Sequence, residues 1–258
     1  MTDQSILLSI DNRIAIIRLN RPDRLNALTP DLLGKLLSSI DEAVSAGARA
    51  ILLTGTGRAF CAGADLSGEG LIGNDPGETL KRAYHPLVRR IAEIDLPIVS
   101  AINGPAVGAG AALAIVADIS VMARSAYLQF GFVNIGLVPD DGVSWLLARS
   151  VGRTRALELA LLGEPVDAER AVAMDLVTRV ADDADCFAQA QALTKHLAHG
   201  PSVALGLIRR QIAAALDLDH AAVLELEAEN QSKAGATEDF REGIAAFREK
   251  RLAVFQRH

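Results

Sequence analysis

The sequence has few aromatic residues, few cysteines and no long apolar stretch. Only 4% of its 258 residues are aromatic although 50% are hydrophobic, so the core must consist mainly of Ala, Val, Ile and Leu. Two cysteines far apart in the chain, Cys61 and Cys186, favour reduced thiols over a disulfide framework. No apolar run is long enough to span a bilayer, and the first residues lack a secretory leader. We therefore expect a cytoplasmic protein.

Basic charge is also scarce. The 26 Lys and Arg residues are outnumbered by 32 Asp and Glu residues, which gives a formal net charge of −6. Such a balance provides no general positive field for nucleic acid or anionic lipid, so neither partner is expected. Nor does any cluster of His, Cys and Asp have metal-ligand spacing, and no metal is expected.

The first 150 residues alternate strand and helix patterns. A hairpin is predicted over 5–19 with its turn at Asp11 and Asn12, and Thr29 has the form of a helix cap before Pro30. Short apolar strands are predicted at 48–53, 98–102 and 119–122. Alternation of this kind favours a mainly parallel sheet.

The remaining chain, from Val151 onward, is almost wholly helical in pattern. Helices are predicted at 154–162, 168–174, 183–199, 202–216, 220–234 and 238–255. An earlier helix is expected over 80–94. Before it, residues 67–79 are rich in glycine and polar residues, which is typical of a mobile loop over a site.

Two glycine-rich segments each follow a predicted strand. They are RAFCAGADL at 58–66 and NGPAVGAGAAL at 103–113. Backbone N–H groups at a helix start are unpaired and carry partial positive charge, and small side chains let a ligand oxygen approach them. Two such turns from neighbouring strands would converge on one oxygen. The alternative is that the small residues only allow a helix to pack closely on a strand, and neither segment has the full spacing of a nucleotide-binding loop.

Five segments, in order along nearly the whole chain, resemble the crotonase superfamily, the enoyl-CoA hydratase/isomerase fold. They are RPDRLNAL at 21–28, AFCAGAD at 59–65, AINGPAVGAG at 101–110, GLVPD at 136–140 and DFREGIAAFREKR at 239–251. The resemblance implies an α/β fold, with a crotonase-like ββα spiral core over 1–200 and a C-terminal helical trimerisation region over 201–258. It also implies a homotrimer or hexamer and an acyl-CoA thioester substrate, with coenzyme A as part of the substrate and no separate cofactor.

The resemblance assigns roles to residues of these segments. The backbone N–H groups of Ala64 and Ala109 form an oxyanion hole, in which one donor is typically worth about 2.7–4 kcal/mol of transition-state stabilisation. The residues that it places at the substrate or its coenzyme A part are Arg24, Leu25, Ala62, Asp65, Leu66, Phe132, Phe247 and Lys250. For Arg24, Phe247 and Lys250 the alternative is an ordinary solvated or capping role. Asp65 is expected to brace its turn rather than to take part in chemistry.

Two positions depart from the hydratases of this superfamily, which use two glutamates to handle water. This chain has Ala112 and Phe132 there, and neither side chain accepts a proton. Asp140 remains, on the turn where related enoyl-CoA isomerases and 1,2-epoxyphenylacetyl-CoA isomerases carry their catalytic acid. One carboxylate suffices to take a proton from one carbon and return it to another while the oxyanion hole holds the dienolate. The sequence therefore favours an isomerase.

Other titratable and aromatic residues near these motifs have simpler interpretations. Asp141 is available to cap the following helix. His85 could line the acyl pocket, but a position on the helix surface is favoured, and Trp145 is expected to lie in the core. Nothing near Cys61 suggests a thiolate nucleophile. For Asp140, burial would raise the pKa and the nearby helix start would lower it.

Three other functions stay open at this point. An aryl-CoA dehalogenase or hydrolase would use Asp140 as a nucleophile, with an aromatic partner at the position of Phe132. A residual enoyl-CoA hydratase and a non-catalytic coenzyme A-binding paralogue are the other two. A trapped acyl-aspartate would indicate the first, and coenzyme A binding without any turnover would indicate the last.

Overall fold

The structure, a computed structural model, describes residues 4–67 and 75–256. It begins with the predicted hairpin, formed by β1 (Ile6–Asp11) and β2 (Ile14–Leu19). The turn lies one residue later than predicted, at Asn12 and Arg13, whose φ angles are 48° and 66°. Positive φ at both central residues lets a two-residue turn match the twist of its strands.

A six-stranded sheet forms the body of the molecule, and a three-stranded sheet lies beside it. The remaining strands are β3 (Ala50–Gly55), β4 (Ile98–Ile102), β5 (Ala106–Val107), β6 (Ile119–Ala123), β7 (Tyr127–Gln129), β8 (Pro165–Asp167) and β9 (Arg179–Ala181). The large sheet has the order β1-β2-β3-β4-β6-β9 and is parallel from β2 onward, as the alternating pattern predicted. The small sheet has the order β5-β7-β8.

Eleven α-helices connect and follow these strands within the described ranges. They are α1 (Pro30–Ser45), α2 (Pro76–Thr79), α3 (His85–Glu93), α4 (Ala109–Ile115), α5 (Val143–Ser150), α6 (Gly152–Leu162), α7 (Ala168–Ala173), α8 (Cys186–Ala198), α9 (Ser202–Ala215), α10 (His220–Gly235) and α11 (Glu238–Glu249). The predicted cap is present, because the Leu32 N–H donates to Thr29 Oγ1 over 3.2 Å.

Several predicted boundaries were wrong. The chain after Val151 is almost wholly helical, as predicted, but the three-residue strands β8 and β9 interrupt it. α11 ends six residues earlier than predicted, where Lys250 takes a φ of 56°. The predicted helix 80–94 is divided into a π-helical turn, Leu80–Tyr84, and α3.

The predicted loop 67–79 is only partly described. Its last residues form α2, whose first turn is capped by Asp75 through a 2.9 Å hydrogen bond from the Gly77 N–H. Residues 68–74 lie outside the described part of the chain, so the expected mobile loop stays a prediction.

The core consists largely of aliphatic side chains and alanine, as the composition predicted. α1 packs against β1 and β2, and α8 packs against β2, β3, β4, β6 and β9. Phe60 and Phe130 are the largest fully buried side chains among the described residues. In the same part of the chain, no helix is both long and apolar enough to cross a membrane.

The C-terminal helices follow the sheet body in the order α9, α10, α11, with α10 packed on both α9 and α11. The buried Arg49 joins them to the body: its Nε donates to Ser202 Oγ over 2.7 Å and its Nη1 to the Phe255 carbonyl over 3.0 Å. The predicted division after residue 200 falls between α8 and α9, and it stays a prediction.

Candidate active site

The two glycine-rich turns lie against each other. Residue 61 pairs with residue 106 in a short parallel bridge, and the Val107 N–H donates to the Cys61 carbonyl over 2.9 Å. On the other side, the Leu28 N–H donates to the Gly63 carbonyl over 2.7 Å. The segments after β3 and β4 are therefore fixed to each other and to the chain after β2.

Glycine is required at the points of closest approach. A Cβ atom on Gly63, whose φ is +87°, would lie 2.6 Å from the Val107 carbonyl oxygen. A Cβ atom on Gly110 would lie 2.2 Å from the Cys61 carbonyl oxygen. The close-packing interpretation is thus correct, and the same packing brings Ala64 next to the start of α4 at Ala109.

Two backbone donors are left unpaired at this junction. α4 begins at Ala109, so the N–H of that residue has no partner within the helix. Within the described ranges, neither this N–H nor that of Ala64 donates a hydrogen bond. Both residues line the same cavity. The geometry is that of a site for an oxygen atom that carries negative charge.

That cavity has a volume of about 630 Å³ and a mainly apolar wall. Leu66, Leu80, Phe132, Leu137 and Val138 contribute to it. Phe132 is buried and lies about 3.9 Å from the position of a Cβ on Gly108. The cavity suits an apolar group attached to an atom held between the two donors.

Two adjacent carboxyl groups also border the cavity, those of Asp140 and Asp141. Their turn is closed by a 2.8 Å hydrogen bond from the Val143 N–H to the Asp140 carbonyl, with Asp141 at a φ of 51° and Gly142 at 82°. In the described part of the chain, Oδ1 of each carboxyl is buried without a hydrogen-bond partner. Asp141 therefore does not cap α5, and the capping interpretation was wrong.

Burial controls the acidity of both groups. It raises the pKa of Asp140 above its ordinary value and outweighs the hydrogen bonds that lower it. It also raises the pKa of Asp141, and the negative charge of Asp140 raises it further. The pair thus retains at least one proton at pH values above the usual pKa of an aspartate.

The predicted site residues divide into two groups. Those that the structure brings together around the cavity are Ala62, Ala64, Leu66, Ala109, Phe132 and Asp140. Those that lie outside its wall are Arg24, Leu25, Asp65, Phe247 and Lys250. Phe247 is 84% exposed, and Lys250 ends α11. The roles of this second group in binding coenzyme A stay predictions.

Asp65 braces its turn. Its carboxylate accepts a hydrogen bond from the Ser67 hydroxyl over 2.6 Å and pairs with Arg21 over 2.8 Å. These two contacts lower the pKa of Asp65 to about 2. The carboxylate is therefore held ionised beside Ala64, where it fixes the chain that carries one of the two donors.

Three further residues line the cavity, and of these only Tyr84 had no place in the predicted site. Tyr84 is buried and ends the π-helical turn, a distortion often found at functional sites. His85 is half-buried and lines the cavity, so the favoured helix-surface position was wrong and the alternative of a pocket position is correct. Trp145 is 36% exposed and also lines the cavity rather than the core, with the Arg149 guanidinium 4.3 Å from its ring. A tyrosine before His-Pro was the one visible signal, and it carries no chemistry by itself.

Cys61 is not a nucleophile in this arrangement. Its thiol is buried and lies 3.2 Å from the Asn26 carbonyl oxygen, and burial raises its pKa to about 12. Cys61 and Cys186 are both free thiols. Among the described residues, no group of three or more His, Cys, Asp or Glu side chains is arranged to hold a metal ion.

The comparison with known protein families is decisive. The family model described as enoyl-CoA hydratase/isomerase matches residues 9–258. The chain belongs to the enoyl-CoA hydratase/isomerase family. The predicted crotonase fold is therefore confirmed, in the form of a mixed α/β body with a C-terminal helical region.

Members of this family that resemble the chain have differing names. The 1,2-epoxyphenylacetyl-CoA isomerase of Escherichia coli is 40% identical over 97% of both chains. A protein of Rhodobacter capsulatus named "Probable enoyl-CoA hydratase" is 41% identical over 99% of both. Among solved structures, an enoyl-CoA hydratase from Polaromonas is 30% identical, with a TM-score of 0.90 over 97% of this chain and 99% of that one. The family is thus established, and its members include proteins named for either reaction.

Proposed function

We propose that this family member is an acyl-CoA isomerase, in which a backbone oxyanion hole holds the enolate and Asp140 moves the proton. The observation that carries the proposal is the single cavity shared by the Asp140 carboxyl group and the unpaired N–H groups of Ala64 and Ala109. Ala112 and Phe132 stand where hydratases have their glutamates, which removes the groups expected to orient water. The name of the Escherichia coli relative is consistent with this assignment.

The proposed reaction needs one carboxylate and no added reagent. The Asp140 carboxylate removes a proton from a carbon of the acyl chain, and the bonding electrons move onto the thioester oxygen. The Ala64 and Ala109 N–H groups stabilise that oxyanion, each by about 2.7–4 kcal/mol. Return of the proton to a different carbon moves the double bond and restores the carboxylate. Burial of Asp140 makes it a stronger base than an exposed aspartate, which suits removal of a weakly acidic proton.

The substrate is proposed to be a coenzyme A thioester with an apolar or cyclic acyl group. Ala62 and Leu66 lie in the cavity wall beside the oxyanion hole, and the Ala62 N–H donates to the Leu25 carbonyl over 2.9 Å. This bond joins the segment that carries Arg24 to the segment that carries Ala64. We propose that Arg24 and Leu25, with Phe247 and Lys250, bind the coenzyme A part, with no further cofactor and in the cytoplasm.

Parallel assays of the wild-type enzyme test this function. We expect it to convert 3-enoyl-CoA into 2-enoyl-CoA, or to isomerise an epoxidised ring acyl-CoA. Hydration of a short trans-2-enoyl-CoA should be at least about 100-fold slower, since a positioned acid or base contributes roughly that factor or more. Rapid hydration would contradict the proposal. So would an acyl-aspartate at residue 140 in mass spectra of the reacting enzyme, which would indicate the nucleophilic alternative.

We also propose a trimer, or a hexamer of two trimers. The C-terminal helices expose large apolar side chains, among them Ile208 (55%), Ile212 (63%), Leu216 (50%), Leu224 (50%) and Phe240 (52%). Apolar surface of this kind usually marks an interface. We expect sedimentation velocity at micromolar concentration to show a trimer or hexamer, and Ile212→Glu to shift it toward smaller species. A wild-type monomer under the same conditions would contradict this assignment.

A further inference from the structure

The cavity holds a carboxyl group that the proposed reaction does not use. Asp141 is 7% exposed and borders both the large cavity and a smaller one of about 20 Å³. The smaller cavity is also bordered by Tyr84, Ala109 and Ala112. Asp141 and Ala112 therefore border one small cavity together with Ala109 of the oxyanion hole.

The backbone at this position would suit glycine better than aspartate. Asp141 has a φ of 51° in a turn closed by the bond from the Val143 N–H to the Asp140 carbonyl. Glycine adopts such angles freely, whereas other residues do so with strain and Asp and Asn with the least. The turn directs the carboxyl group into the cavity, where its Oδ1 has no partner among the described residues.

The two carboxyl groups act directly on each other. They belong to adjacent residues that border the same cavity, and Oδ1 of each has no partner among the described residues. Burial raises the pKa of both groups; the Asp141 carboxyl lowers that of Asp140, and the Asp140 charge raises that of Asp141 further. The other titratable groups that face them are the buried Tyr84 phenol and the half-buried His85 at the cavity wall, with the Cys61 thiol beyond. Near neutral pH, two neighbouring buried carboxyl groups do not both ionise. Asp141 is 7% exposed whereas Asp140 is only half-buried, so the charge is assigned to Asp140 and the proton to Asp141.

We propose that Asp141 is a positioning residue for Asp140. Its protonated carboxyl group donates a hydrogen bond to the Asp140 carboxylate and so keeps that base ionised and oriented inside an apolar cavity. The proton on Asp141 stays there, and the proton that moves between substrate carbons travels on Asp140 alone. This inference rests on the proposed function, in which Asp140 is the base.

Two variants separate this role from simple packing. Asparagine at 141 still donates to Asp140 but does not titrate, whereas glycine fits the turn but cannot donate. The wild-type kcat/KM should rise with pH as Asp140 ionises and fall at higher pH as Asp141 loses its proton. We expect Asp141→Asn to keep the rising limb and lose the falling one. Asp141→Gly should move the rising limb upward by about one pH unit or more, because a donor to the charged form has been removed.

A matched control exists elsewhere in the chain. Asp175 is exposed and has a φ of 59°, so Asp175→Asn and Asp175→Gly make the same changes in the same backbone conformation away from the cavity. Neither should alter the pH profile. If both Asp141 variants lose rate but keep the wild-type profile, Asp141 only fills space and the proposal is wrong.

A second measurement does not depend on activity. In protein labelled with ¹³C at the aspartate carboxyl carbons, the two groups should titrate together above the ordinary aspartate range. Asp141→Asn should remove one of the two signals and leave the other with a single simple titration. Separate titrations in the ordinary range would overturn the carboxyl pair even in an active isomerase. Conversely, coupled titration in a protein that isomerises no acyl-CoA would contradict the proposed function but would still support the carboxyl pair.

Discussion

Replacing Asp140 by asparagine is expected to lower the isomerisation rate by about 10³-fold or more while coenzyme A binding stays nearly unchanged. A positioned acid–base group contributes about 10²–10⁴-fold, and here the same group removes and returns the proton. Asparagine has nearly the same shape as aspartate but accepts no proton at neutral pH. The rate is measured by the appearance of 2-enoyl-CoA, and binding by calorimetry with coenzyme A.

The control for this change is Asp175→Asn, an identical substitution at an exposed site. It should leave both the rate and the binding unaltered. An Asp140→Asn enzyme that isomerises as fast as the wild type would show that the base is another group. Loss of coenzyme A binding together with the rate would instead indicate that the turn has been displaced.

The second large effect is expected at the oxyanion hole. Its donors are backbone groups, which no side-chain deletion removes, so we test them by crowding. Ala109 is 5% exposed and lies between Gly108 and Gly110, and valine there adds two methyl groups at the mouth of the hole. We expect Ala109→Val to lower kcat by roughly 10²-fold, comparable to the loss of one oxyanion donor.

The fold should survive this change, and that point needs its own measurement. The melting temperature of Ala109→Val is compared with that of the wild type, since crowding of a buried site costs about 1–3 kcal/mol. Ala188→Val, at an exposed position of α8, makes the same change away from the cavity and should retain full activity. Unchanged turnover in Ala109→Val would argue against an oxyanion hole at this place.

Much of the scaffold is predictable because its signals are local. The hairpin follows from two apolar runs around a polar turn, and the start of α1 follows from Thr29 and Pro30. The glycine-rich turns after β3 and β4 are visible because close backbone contacts require glycine at Gly63 and Gly110. In contrast, the strands β8 and β9 have three residues each, which is too few to produce an alternating pattern.

Some parts of the site could not be predicted from the sequence, because they depend on the direction in which a side chain points. Asp141 looks like a helix cap in sequence, but its positive φ turns the carboxyl group into the cavity. Tyr84 reaches the cavity wall from a π-helical turn, and such a turn leaves no periodic signal. Trp145 follows a helical spacing that is typical of a core residue, yet it borders the cavity and remains 36% exposed. Each of these directions is set by contacts between distant segments.

The oxyanion hole described above contains no titratable group. Amide N–H donors keep their protons throughout the range in which carboxylic acids, imidazoles and thiols titrate. The strength with which this enzyme holds an enolate should therefore be nearly constant with pH, and we expect the pH dependence of the proton transfer to originate in the turn at 140 and 141. A substitution in that turn can therefore shift the pH range in which the enzyme is active while the oxyanion hole, which stabilises the intermediate, stays unchanged.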